Sequence, residues 1–389
     1  MAELEARAAQ LGASPNPYGH TASSLQAKAP LVAAEFESRF FSTATGRLRS
    51  SIDISGMPHD IGDVSLNMGA VTSGALSPSA VQSIMEWLDG TRIVQGDTSQ
   101  EDDIYHWRFA PRSNTKDVEP ESFLVWVAYI FWGTNLNGGG NYNDAVNNGG
   151  GWLRNTHDDV VARAMVLGSD NAWDRLKEVL DWYQDAQNAG GFRQYYATLD
   201  IDMQGCGTGG SVLVDCEGAV EGSSAPLAFL DAFVGISQHG QDGLRFAPRI
   251  PSEMEYVGAR RYFYKDHFYD VRASSALGSA IRYVATHPDT GIPQFPNTAH
   301  NLSVEFAALS PNTTYTLRLH NLDAGTSSDD TESTNGQGVL TYSFQMPRNG
   351  RIEVFAPPPN PGTVVFEDGF ESGGFSAWSC TTPGNPGCA

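Results

Sequence analysis

The hydrophobic period of this chain changes near Gly243, and that change limits its possible folds more than any other feature. Before it, apolar residues recur at three- and four-residue spacing; after it they alternate. The first spacing lines one face of a helix and the second one face of a half-buried strand. Ser77-Pro78 marks a helix start, Val81, Ile84, Met85 and Leu88 form its buried face, and Gly90 ends it. Thr156 with Asp159 reads as a capping-box-like start for a helix carrying Val160, Val161, Ala164, Met165 and Leu167, closed by Gly168. Its partner turns Trp173, Leu176, Val179, Leu180 and Tyr183 inward. Other helices are expected over 25–41, with Val32, Phe36 and Phe40 on one side, over 66–76 and over 121–132, while 42–50 reads as a turn. Beyond Gly243 the segments 261–274, 300–309, 314–322, 339–346 and 350–357 are rich in β-formers, with Gly, Pro and Asn turns between them. Helix, short turn, helix, long polar-aromatic loop, repeated, is the pattern of a helical toroid whose long loops gather at one end. The spacing therefore predicts a toroid over 1–242, a β-sandwich-like domain over 243–356, and a proline linker with a tail over 357–389.

The stretch from Asp200 to Asp231 joins the two regimes. Pro226 is tolerated only in the first turn of a helix, so a helix must begin at about Ser224 or Ala225. Leu227, Leu230, Phe233 and Val234 then make its buried face. Glu221 stands just ahead of that N-terminus, where unpaired N–H groups favour a negative charge. A carboxylate held ionised at a cavity rim is what a general base requires, and Glu217 is a close rival. Both would act as simple helix caps in a chain without a substrate.

Four cysteines form two close pairs, Cys206 with Cys216 and Cys380 with Cys388, each bracketing Gly-rich sequence as a local disulfide would. They lack the CxxC spacing and His partners of a zinc site. Two disulfides imply an oxidising compartment, so a secreted, periplasmic or cell-surface location is expected. The first residues, MAELEARAAQLGASPNPYGH, have no apolar core and are no signal peptide, so the natural N-terminus is expected further upstream. A formal net charge of -21, from 45 acidic against 24 basic residues, repels nucleic acid and anionic membrane but suits a neutral sugar. No apolar run approaches the roughly 20 residues of a membrane span.

Sugar recognition needs aromatic faces for pyranose rings and fixed polar side chains for hydroxyls. Tyr105, His106, Trp107, Arg108, Arg112, Asn148, Trp152, Arg193, Tyr195 and Tyr196 all fall in or beside the long loops, and Asp97 adds an acid to the same set. Asp53, His59, Asp60 and Asp63 crowd another loop; no second His stands at ligand spacing, so no metal or other cofactor is expected there. Trp126 and Trp132, on an apolar helix, read as core.

The segments NNGGGWLRNTHDDVVARAMVLGSDNAWDRLKEVLDWYQDAQNAGGF, GDTS followed by DIYHWRFAPRSNT, and DCEGAVEGSSAP resemble those of six-hairpin (α/α)6-barrel glycoside hydrolases. DGLRFAPRIPSEMEYVGARRYFYKDHFYDVRAS resembles their exit into a C-terminal β domain, and the likeness covers roughly Asp53 to Ala273. The resemblance implies an incomplete (α/α)6 toroid followed by the β-sandwich-like domain, and hydrolysis of a glycosidic bond with inversion. It places the base at Glu221, with Glu217 as rival, and the Asn-Gly-Gly run at Asn148. A complete toroid needs more helices than the roughly eight legible before Gly243. The resemblance thus puts the general acid in an absent N-terminal half, unless Asp60 serves. A phosphorylase, a polysaccharide lyase using Arg108, Arg112 and Arg154, or a non-catalytic sugar-binding module are the alternatives. The tail VFEDGFESGGFSAWSC resembles a short terminal motif of exported bacterial proteins.

Overall fold

The computed structural model describes residues 19–97, 114–116, 155–188, 224–239, 243–265, 267–274, 278–283 and 298–355, with Glu5, Ala6 and Ala9. The chain divides into two compact units, Met1–Ala228 and Phe229–Ala389.

In the first unit, α1 (Ala22–Phe40) starts on a capping box in which Thr21 and Ser24 exchange side-chain and backbone hydrogen bonds. It has no buried residue; Phe36 and Phe40 pack together at 5.2 Å and lean on the core. Val32, expected on their side, is 66% exposed. Two short hairpins follow: β1 (Phe41–Ser42) with β2 (Arg47–Leu48), and β3 (Ser51–Ile52) with β4 (Pro58–His59). Helix α2 (Val64–Ser73) is capped by the Asp63 carboxylate, which accepts from Leu66 N, and stops at Gly74 in the left-handed conformation. Helix α3 (Pro78–Leu88) is capped by Ser77 with proline in its first turn, and buries Ile84, Met85 and Leu88 as their spacing requires. These helices close over Leu48, Trp87 and Ala162 in one apolar cluster.

Helices α4 (Asn155–Val166) and α5 (Ser169–Asn188) pack on each other. The expected capping role of Asp159 is replaced by another. It lies buried inside α4, accepting from Arg163 Nε at 2.7 Å and Arg175 Nε at 2.9 Å. Burial works against its charged form, but the two guanidinium groups outweigh burial and hold the carboxyl below the usual carboxylate range. Arg163 also donates to Asp89 and to the Leu88 carbonyl, tying α4 to the end of α3.

The (α/α)6 toroid is overturned. Stacked helical hairpins must each bury a face on the next, yet α1 has no fully buried residue, β-hairpins lie between α1 and α2, and the apolar cluster mixes α2 and α3 with Leu48 of β2, Val94, and Ala162 of α4. The described residues form a helical unit with short hairpins and a second unit of extensive sheet. Among them no helix is long and apolar enough to cross a membrane.

Helix α6 (Ser224–Phe229) begins where Pro226 dictates and widens into a π turn over Leu230–Val234. Phe233 and Val234 are buried as expected, but the widening puts them out of phase with Leu227, which is 47% exposed, and Ala225, Ala228 and Ala232 are buried with them. Gly235, at φ +64°, turns the chain where any Cβ would collide with the Ala247 carbonyl.

The described residues of the second unit form two sheets. Strands β5 (Ile236–His239), β6 (Gly243–Phe246), β10 (His300–Phe306) and β13 (Leu340–Met346) form one, in the order β13-β10-β6-β5. Strands β7 (Tyr256–Tyr264), β8 (His267–Ser274), β9 (Gly278–Tyr283), β11 (Thr314–Asn321), β12 (Thr326–Ser333) and β14 (Gly350–Phe355) form the other, in the order β12-β11-β14-β9-β8-β7. Leu302, Val304 and Phe306 are buried in the first, and Val271, Leu317, Ile352 and Val354 in the second. The edge strand β12 is exposed along its whole length and paired in register with β11 from Thr314↔Ser333 to Asn321↔Thr326.

A polar link joins the sheets. Tyr269 of β8 meets His300 Nε2 of β10 at 2.7 Å, and the His267 ring lies 3.8 Å from that of His300. Burial lowers the His300 pKa from its ordinary 6.5; the hydrogen bond to the Thr298 carbonyl opposes the shift and the neighbouring His267 adds to it. The unfolded chain therefore takes up this proton first, so the stability His300 contributes is complete above pH 6.5 and is lost as pH falls through its lowered folded value. Thermal melts at pH 7.5 and 5.5 should show a smaller acid-induced drop for His300→Gln than for wild type. In the first unit, Asp159→Asn leaves two buried guanidinium groups short of their counter-charge and should cost about 3–5 kcal/mol in urea unfolding.

Candidate functional site

Arg47 organises the part of the first unit that holds the described candidate residues. The tight β1–β2 hairpin places its side chain inward, where it is 1% exposed and lies 4.6 Å over the Trp87 ring. Its Nε donates to Asp60 Oδ1 at 2.9 Å, Nη1 to Asp97 Oδ2 at 2.8 Å, and Nη2 to Asp97 Oδ1 at 2.9 Å. Nη1 also reaches Thr115 Oγ1 at 3.2 Å. The Asp97 pairing is the two-toothed contact that only a planar guanidinium makes. Burial disfavours the charge on Arg47, but the bond to Asp97 and the charges of Asp60 and Asp97 outweigh it, and its pKa is raised.

The two acids have further partners. Asp60 accepts from Thr45 Oγ1 at 3.0 Å and from Gly62 N at 2.9 Å. Asp97, only 3% exposed, accepts from Thr115 Oγ1 at 2.9 Å and Trp87 Nε1 at 3.3 Å. Gly62, at φ +64°, is required twice over: its backbone is left-handed, and a Cβ would run into Thr115 Oγ1 and Arg47 Nη1.

Thr115 is held by its backbone as well, with its N–H 3.1 Å from the Gly62 carbonyl, and Lys116 N donates to Ile61 O at 3.0 Å. Asn114 forms a β-bridge with Asp63. Asp97 and Asn114 flank the segment 98–113, which carries Tyr105, His106, Trp107, Arg108 and Arg112. Asp97 and Thr115, on either side of that segment in the sequence, thus belong to one buried ion cluster.

The structure brings together two sequence candidates, Asp60 and Asp97, through a residue that sequence reasoning passed over as part of a turn. The surrounding sequence, STATGRLRS, is polar and carries no signal that this arginine would be buried. Tyr105, His106, Trp107, Arg108, Arg112, Asn148, Trp152, Arg193, Tyr195, Tyr196, Glu217 and Glu221 lie outside the described residues, as do Cys206, Cys216, Cys380 and Cys388. His59 stands in β4, 3.6 Å from Asp53, whose carboxyl is held below its usual range chiefly by the Ser55 hydroxyl and the Met57 N–H.

Comparison with protein-family models gave no match, and no curated protein is significantly similar to the chain.

Arg47→Ala strands a buried carboxylate at Asp97 and removes the tie to Asp60. It should destabilise the first unit by about 3–5 kcal/mol in denaturant unfolding, with Arg47→Lys recovering only part because an ammonium cannot pair with Asp97 through two parallel bonds.

Proposed function

We propose that this chain acts on carbohydrate, as a glycoside hydrolase working on a neutral oligo- or polysaccharide outside the cytoplasm. The Arg47 cluster is the observation that supports this reading. It holds Asp97 and Thr115, which in the sequence stand on either side of a stretch dense in the aromatic and hydrogen-bonding residue types that sugar rings and hydroxyls require. The start of α6 at Ser224 agrees with the helix start expected from Pro226, and Glu221 stands three residues before it in the sequence.

The chemistry assigned to Glu221, with Glu217 as rival, is removal of a proton from water as its oxygen attacks the anomeric carbon. A second carboxyl group, about 6.5–9.5 Å away, gives its proton to the departing glycosidic oxygen. Asp60 is the described residue considered for that acid. Its Oδ1 takes bonds from Arg47 and Gly62 and its Oδ2 takes one from Thr45, so its oxygens already serve the Arg47 cluster. That engagement favours one second reading, a sugar-binding module that holds its ligand without cleaving it.

Aryl-glycoside hydrolysis and sugar binding by calorimetry, measured on wild type and Glu221→Gln, separate the two. The expected result is a fall in kcat of about 10²–10⁴-fold in Glu221→Gln with binding retained. Unchanged turnover rejects Glu221 as base, and binding without turnover in the wild type establishes the module.

A further inference from the structure

A shallow cavity of about 450 Å³ opens at one end of the sheet unit. Segments from both sheets build it. The β11–β12 turn supplies Asn321 and Asp323, while the end of β13 and the turn after it supply Gln345 and Arg348. Arg348 Nε donates to Asp323 Oδ2 at 3.1 Å, and Asn349 Nδ2 lies 3.4 Å from Oδ1. The Asn321 side-chain carbonyl accepts from Ala324 N at 3.1 Å, which fixes the turn. Ala299, Ala324 and Pro347 line the rest.

Charge and polarity choose the ligand class. Asp323 and Arg348 cancel each other, so the cavity offers carboxylate acceptors beside guanidinium and amide donors with no net charge. An anion meets Asp323, and a cation meets Arg348. A sugar hydroxyl both donates and accepts, which matches such a mixed lining. The small apolar residues accommodate its C–H edges, and the volume falls in the range of roughly 300–1,000 Å³ typical of small-ligand sites.

We infer that this cavity binds a neutral saccharide, through residues other than those assigned to cleavage. The inference does not rest on the hydrolase reading, because binding is measured without turnover. Asp323 and Arg348 are 44% and 55% exposed, so removing either side chain leaves the fold intact.

The test is saturation-transfer NMR on the full chain with methyl β-glucopyranoside and methyl α-mannopyranoside, alongside glucuronate and glycine as charged probes. Asp323→Ala and Arg348→Ala should each melt with the wild type and weaken a saturable component for a neutral glycoside at least about fivefold, the loss of one hydrogen bond. Glu221→Gln should leave that component in place. The inference is overturned by the absence of any saturable signal, by equal signals in wild type and both cavity variants, or by preferential binding of glucuronate or glycine. A component lost in Glu221→Gln and kept in Asp323→Ala also overturns it, and assigns the sugar to the cleavage residues instead.

Discussion

A single buried guanidinium holds the candidate site together. A charge removed from water is tolerated only when its partners replace the lost hydration, and Arg47 has two carboxylates, a hydroxyl and an indole face. The same demand fixes its neighbours. Gly62 must lack a side chain, Thr115 must offer a hydroxyl, and Trp87 must present its ring to Arg47 and its N–H to Asp97. A mirror arrangement holds α4 and α5 together, where one acid, Asp159, serves two arginines. Between them these clusters fix geometry where apolar contacts alone would allow sliding.

What could be read from the sequence follows local rules. Ser77-Pro78 starts α3 because a hydroxyl caps and proline fits the first turn, and Pro226 sets the start of α6 for the same reason. The alternating runs became strands β8, β10, β11, β13 and β14. Residues whose role depends on distant partners escaped. Arg47 finds its partners 13, 50 and 68 positions along the chain, a separation that leaves no period to detect. Strand β12, TSSDDTES, contains no apolar residue and owes its conformation to pairing with β11.

The toroid failed for a related reason. Helical spacing reports that a face exists and is silent on what covers it. Val32 and Leu227 have the right spacing and lie exposed, one on a helix with no fully buried residue and the other on a helix re-phased by a π turn. Asp97, expected as a sugar contact, is a buried partner of Arg47.

The span of the Arg47 cluster also bears on how the chain matures. During synthesis the arginine leaves the ribosome long before Asp97 and Thr115, and until they follow it has only Asp60 beside it. The β1–β2 hairpin must therefore remain hydrated, or borrow a transient partner, until residues 50 and 68 positions further along are added, since non-local contacts come late. Completion of the first unit is in this sense gated by translation past Thr115, and a pause just upstream would hold the nascent chain with its central cation uncovered.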